Sequence, residues 1–326
     1  MRARQGISSG RVVVITGASS GIGRATAHAF AERGAELVLA ARSEPSLQEV
    51  ARECVQLGGR ALVVVTDVSD QAQVQALARA AVDAYGRIDA WVGAASVFSY
   101  GTFEQTPPEV FRQVMETNLF GQVHGARAVL PCFRARRQGV LVLVGSLYSK
   151  ITSPYLSPYI TSKHALLGLA EVLRQELRDA DGISVCAVLP ATIDTPIYQH
   201  AANYTGRRAH PLPPVSDARR VARAIVRAVE RPRPVTVVGQ AQRLAVLAHT
   251  LVPRLYERAV GPVMDLLALR DGPVPAGAGT VFQAQPHTNQ VHGGWRSSRR
   301  LGLRALGALR DRVAAAGGWW HGPASG

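Results

Sequence analysis

The chain has 326 residues, 47% hydrophobic and 18% charged, which excludes a disordered or collagen-like polymer and is long enough to bury a core without disulfides or metal. Its three cysteines, Cys54, Cys132 and Cys186, form no CxxC pair, so neither a disulfide scaffold nor a zinc site is expected, and a reducing, cytoplasmic setting is. The net charge of +14 sits in the C-terminal part: residues 1–200 carry 19 Lys+Arg against 17 Asp+Glu, and residues 201–326 carry 18 against 6, with no nucleic-acid-binding module beside them.

The first apolar run, residues 12–15, is too short for a secretory h-region and reads instead as a strand. A helix over 24–33 follows, then strand 37–40, helix 46–57, strand 61–66, helix 72–85 and strand 90–93. Gly34, Gly58 and Gly86 stand just past the three helices, where a C-cap is wanted. A long helical region covers 108–137, then strand 139–144, helix 158–179 and strand 183–189. Short apolar strands alternating with helices predict βαβ units: an α/β fold with a doubly wound parallel sheet and helices on both faces. Residues 192–216, with four prolines, predict a long loop. A helix over 217–230, capped by Ser216 or Asp217, and a last strand over 235–238 complete the pattern. Residues 1–240 therefore read as one nucleotide-binding domain and 241–326 as a basic extension: amphipathic helix over 243–269, a Gly/Pro/Gln-rich loop over 271–299 and a basic helix over 300–316. No run of 18 apolar residues predicts a membrane span.

Two motifs carry chemistry. Thr16-Gly17-Ala18-Ser19-Ser20-Gly21-Ile22-Gly23 follows a strand and opens a helix. Glycines there let the backbone approach a pyrophosphate, which the helix N-terminus attracts with free N–H groups and its dipole. The second motif is Tyr159-Ile160-Thr161-Ser162-Lys163, with Ser146 thirteen residues upstream. Tyr and Lys at i and i+4 share a helix face. A cation beside the phenol is expected to lower its pKa and make Tyr159 a general acid/base, with Ser146 bonding the reacting oxygen. Lys163 is also one of only two lysines in an arginine-dominated chain.

With both motifs in place, residues 8–240 resemble the short-chain dehydrogenase/reductase family, of Rossmann-like fold. The resemblance implies that Asn118, in METNLFG, shapes a helix bulge and joins a proton relay with Lys163. It implies that Asp67 and Val68 contact adenine, that backbone at Ala95 contacts the cofactor, and that Ile193 and Thr195 hold the nicotinamide carboxamide. It also implies a homo-oligomer. Two segments depart from the family: its NNAG reads Gly93-Ala94-Ala95-Ser96, so the asparagine bonds that tie the central sheet are expected to be missing, and its PG pair reads Pro190-Ala191, a milder change.

NAD enzymes place Asp or Glu at the end of the second strand to bind the ribose 2′-OH. Here that position is Ala41, followed by Arg42, and Arg24 follows the last glycine, so NADP(H) is expected rather than NAD(H). Aromatic residues in 97–103, 147–158 and 196–214, Tyr148 and Tyr155 among them, predict a pocket for a hydrophobic alcohol or ketone. The function expected is hydride transfer between nicotinamide and that substrate; the alternative is a nucleotide-binding scaffold that has lost turnover. Three roles stay open for the extension: packing on its own domain or a second subunit, peripheral contact with an anionic membrane, or a loose tail.

Overall fold

The computed structural model describes residues 10–239, 243–285 and 289–295; the basic helix expected over 300–316 lies outside them. The chain begins with β1 (Val12–Thr16), α1 (Gly21–Ala31), β2 (Glu36–Ala41), α2 (Glu44–Gln56), β3 (Arg60–Val65), α3 (Gln71–Tyr85) and β4 (Ala90–Gly93). After a two-residue strand β5 (Ser99–Tyr100) comes the long helical region. It is α4 (Pro108–Met115), a π-helical turn (Glu116–Phe120) and α5 (Gly121–Arg136). Then follow β6 (Gly139–Val144), α6 (Ser157–Glu176) and β7 (Ile183–Pro190).

The segment expected as a loop carries a 3-10 turn (Pro196–Tyr198) and four short strands, β8 (Ile193–Asp194), β9 (Ala202–Asn203), β10 (Arg207–Ala209) and β11 (Ser216–Asp217). These pieces of two or three residues have no alternation to read in the sequence. Next come α7 (Ala218–Glu230), whose N-cap Asp217 accepts from Arg219 N as expected, and β12 (Val235–Val238). The extension holds α8 (Arg243–Leu251), α9 (Pro253–Leu267) and β13 (Leu269–Pro273). Pro253 divides the expected single helix, since it lacks an N–H and suits the first turn of a new one.

Seven strands form a parallel sheet in the order β12-β7-β6-β4-β1-β2-β3. From β1 the chain winds outward through β2 and β3, then crosses to β4 on the other side. The carboxyl ends of β1 and β4 thus flank the switch point, where such sheets bind ligands. Every residue of β1 is buried, and its side chains alternate between two cores. Val13 and Ile15 pack with Phe30, Leu47 and Ile225 from α1, α2 and α7. Val14 packs with Leu77, Phe133 and Leu166 from α3, α5 and α6. Full burial of one such side chain contributes about 2 kcal/mol. Asp70 caps α3 by accepting from Ala72 N and Gln73 N, and Gly86 ends it at φ +72°.

The extension is built into this body. Met264, Ala268 and Leu269 share a core with Phe98, Tyr100 and Tyr159, and β13 pairs antiparallel with β10. Leu247, Leu251 and Leu255 face solvent along α8 and α9. Among the described residues, no helix is long and apolar enough to cross a membrane.

Candidate active site

The turn after β1 depends on two glycines. Gly17 has φ +69°, and a Cβ there would lie 2.6 Å from the Ala95 backbone nitrogen. Only glycine lets this turn rest on the end of β4. A Cβ on Gly23 would run into the Gly17 carbonyl oxygen. Helix α1 has Ser20 as its N-cap residue, with no side-chain cap bond, and Gly17, Ser19, Ser20, Ile22 and Gly23 line the cleft at this end of it. Asp67, Val68 and Ala95 line the cleft as well. The glycine cradle fits a dinucleotide pyrophosphate, although the first helical N–H, that of Gly21, is already donated to Gln290 O. Asp67 Oδ1 accepts from Ser69 N and Ser69 Oγ, which fixes its turn at the cleft edge.

At the family's asparagine positions, where no asparagine stands, other side chains bond the segment. Gly93 leaves room for Gln122: a Cβ at 93 would collide with its side chain, and Gln122 Nε2 donates to Ala95 O at 3.4 Å. Ser96 Oγ donates to Asn118 Oδ1 at 3.1 Å. Two other side chains thus anchor the segment. Asn118 lies in the π-helical turn, fully buried. Its Oδ1 also accepts from Val97 N at 2.8 Å, and its Nδ2 donates to Val97 O and Ser162 Oγ. The amide is saturated, so it fixes the β4 loop to α6.

Helix α6 brings Tyr159 and Lys163 together, both buried, with Nζ 5.4 Å from the phenol ring centroid. Lys163 Nζ donates to Val144 O at 3.3 Å. Ser146 ends the β6 strand run, caps a short turn by accepting from Tyr148 N at 3.1 Å, and hydrogen-bonds the Tyr159 side chain. The acidified phenol expected from the YxxxK spacing is not what this arrangement produces. Burial pushes Tyr159 up to about 12, against the opposing pull of the Ser146 hydrogen bond. Burial also lowers Lys163 to about 7. The reason is shared: a dry pocket disfavours both charges, and a lysine that sheds its proton near neutrality exerts little field on its neighbour. Near pH 7, Tyr159 is therefore a proton donor and Lys163 is poised between its two forms.

Beyond Tyr159 lies an apolar cavity of about 510 Å³. Phe98, Tyr148, Tyr198 and Ile193 line it, with Ser146 at its inner end. The Phe98 and Tyr159 ring centroids are 4.2 Å apart. Thr195 faces both this cavity and the cofactor cleft. Tyr155 does not line it; at φ +69° it turns outward and donates to Asp265 Oδ1 at 2.9 Å. The outer wall comes from the extension, through Leu244, Tyr256, Val260 and Val263, a contribution that helical spacing alone did not reveal.

The two arginines part company. Arg42 lines the cleft. Arg24 does not: it is buried and held by Glu49 at 2.7 Å and Glu53 at 2.5 Å, both on α2. Its role is to pin α1 to α2. Gly21 lies at the helix start with its N–H donating to Gln290 O at 3.0 Å. His200, Thr280, Gln285 and Asn289 also line the cleft, and no motif marked them.

The sequence model of the family described as "short chain dehydrogenase" matches residues 11–204. A Bacillus subtilis protein, the uncharacterized oxidoreductase YxnA, is 34% identical over 94% of this chain and 87% of its own. Dehydrogenase/reductase SDR family member 7B from Mus musculus is 34% identical over 76% of this chain and 79% of its own. A crystal structure of a short-chain dehydrogenase/reductase from Burkholderia phymatum, in complex with NAD, superposes with a TM-score of 0.68 at 28% identity. That match covers 76% of this chain and 96% of the other.

Proposed function

This chain belongs to the short-chain dehydrogenase/reductase family, and on that premise we propose that it is an NADP(H)-dependent oxidoreductase acting on a hydrophobic ketone or alcohol. The observation that carries the reading is the convergence of Ser146, Tyr159 and Lys163 between a glycine-cradled cleft and an apolar cavity. A bound nicotinamide supplies or accepts the hydride. Ser146 bonds the substrate oxygen and holds it against Tyr159. Tyr159, neutral near pH 7, gives that oxygen its proton as negative charge develops on it. Lys163, with Nζ 5.4 Å from the phenol ring centroid, is the group placed to resupply that proton. Asn118 keeps the β4 loop and α6 in register for this transfer.

For the cofactor, support comes from Arg42 in the cleft and from Ala41, where an NAD enzyme would present a carboxylate. For the substrate, it comes from the aromatic and aliphatic lining of the cavity. Residues 1–240 supply the catalytic body and the extension the outer wall of the substrate site. Exposed Leu247, Leu251 and Leu255 support a subunit contact through the extension in a cytoplasmic homo-oligomer. The test of the central reading is Tyr159→Phe. Turnover on a ketone panel with NADPH should fall about a thousandfold or more, with cofactor affinity changed less than about threefold. Unchanged turnover refutes the assignment.

A further inference from the structure

The family model ends at residue 204, yet the far wall of the cofactor cleft is built from residues beyond it. After β13 the chain returns across the carboxyl ends of the sheet in two described stretches, 274–285 and 289–295. Their contacts fall at three places. The first stretch is rooted on the loop around β9: Asn203 and Gly277 exchange backbone hydrogen bonds at 2.8 and 3.1 Å, and Thr280 N donates to His200 O. Val281 is fully buried beside Val97, Val110 and Ala202. Gly279, at φ +53°, allows this seating, because a Cβ there would strike the His200 carbonyl.

The next contacts lie on the cofactor side. The Arg42 guanidinium donates to three consecutive carbonyls, Thr280 O at 2.7 Å, Phe282 O at 3.1 Å and Val281 O at 3.3 Å. Asn289 Nδ2 donates to Ser46 Oγ at 2.7 Å, and Arg24 reaches the Asn289 carbonyl. Gln290 O takes the Gly21 N–H at the start of α1. The second stretch then fastens to the opposite bank. Asp194 Oδ1 accepts from Gly293 N at 3.0 Å and Trp295 N at 2.8 Å. Trp295 Nε1 donates to Thr195 O, and Gln199 donates to Gly293 O.

The two stretches therefore join the β2–α2 bank to the β7–β8 bank, touching the α1 N-terminus between them. Thr280, Ala284, Gln285 and Asn289 line the cleft together with Gly17, Asp67 and Lys163. We propose that these residues complete the cofactor site as a second wall that holds the adenosine half of the dinucleotide and orients Arg42 through the Thr280–Phe282 carbonyls. This rests on the reading of the cleft as a dinucleotide site. Residues 282–285 are exposed, and outside the Arg42 and Asp194 clusters the two stretches are tied to the body largely by separate polar contacts, each of modest net strength. Loss of one anchor should then loosen the wall without unfolding the body.

The test uses the full chain and NADPH fluorescence, with dissociation followed by stopped-flow displacement. Asn289→Ala removes the tie to Ser46. Gly293→Val drives a side chain into the Thr195 carbonyl, 2.5 Å from where its Cβ would stand, and lifts the far anchor. Each variant should release NADPH about tenfold faster with unfolding midpoints close to the parent's. Should Gly293→Val fail to fold, Asn289→Ala carries the test alone. Release rates equal to the parent's overturn the proposal and leave the cleft reading intact. Faster association with unchanged release also overturns it, since the segment would then be a competitor for the cleft. A parent chain that binds neither NADPH nor NADH overturns the cleft reading and this proposal with it.

Discussion

Lys163 is the residue at which function and stability pull hardest against each other, and Lys163→Met exposes the conflict. The side chain is 1% exposed, and its one hydrogen bond runs to Val144 O. Burial lowers it from 10.5 to about 7, so keeping an ammonium there costs roughly 5 kcal/mol. Methionine fills similar space and carries no charge. It forfeits a hydrogen bond worth about 1 kcal/mol and leaves the Val144 carbonyl short of a donor. The variant should therefore be more stable than the parent at pH 6, by roughly 3 kcal/mol. The sign follows from proton counts. Between pH 7 and 10.5 the unfolded chain keeps the lysine proton that the folded chain has lost, so parent stability gains about 1.4 kcal/mol per pH unit from this group. Below pH 7 both states are protonated and the full penalty remains. Lys163→Met lacks that slope, so its advantage shrinks as pH rises. Urea unfolding at pH 6, 7.5 and 9, followed by fluorescence of buried Trp91, measures both curves. A variant less stable than the parent at pH 6, or a difference that stays constant from pH 7 to 9, refutes the reasoning. Turnover in the variant should be lost throughout.

Two further substitutions probe how the cleft is held. Gln122→Ala removes the side chain that fills the space beside Gly93 and bonds Ala95 O; it should cost about 1–3 kcal/mol in urea unfolding and weaken NADPH binding several-fold. Gly17→Ala must hold φ +69° with a Cβ 2.6 Å from Ala95 N; a loss of about 2–4 kcal/mol and at least a tenfold weaker NADPH titration are expected.

The parts of the molecule readable from residues alone were those with local signatures. Fully apolar strands between amphipathic helices specify a parallel sheet, and strand boundaries at 90–93, 139–144 and 235–238 match the structure residue for residue. The Tyr159/Lys163 pair follows from helical spacing. What escaped depends on tertiary neighbours. Arg24 reads as a phosphate contact until α2 brings Glu49 and Glu53 against it, 25 and 29 residues away. Gln122 bonds Ala95 O from a different helix, so inspection of 93–96 reveals Ser96 but not this second tie. The phenol's high pKa reflects burial, which spacing does not report. Tyr155 shares a segment with Tyr148 yet turns to Asp265, because its backbone adopts a left-handed conformation. Residues 274–285 and 289–295 have no periodicity, and the hydrogen bonds that seat them run to partners 68 to 269 residues earlier.

The central claim is that the cleft takes a phosphorylated nicotinamide cofactor for carbonyl chemistry at Tyr159. Fluorescence titration of the purified chain with NADPH and with NADH tests it most directly. The account predicts saturable binding with NADPH favoured by at least about tenfold, as Arg42 beside an uncharged Ala41 requires. Equal or tighter NADH binding contradicts the cofactor assignment, and no binding of either contradicts the enzyme reading itself.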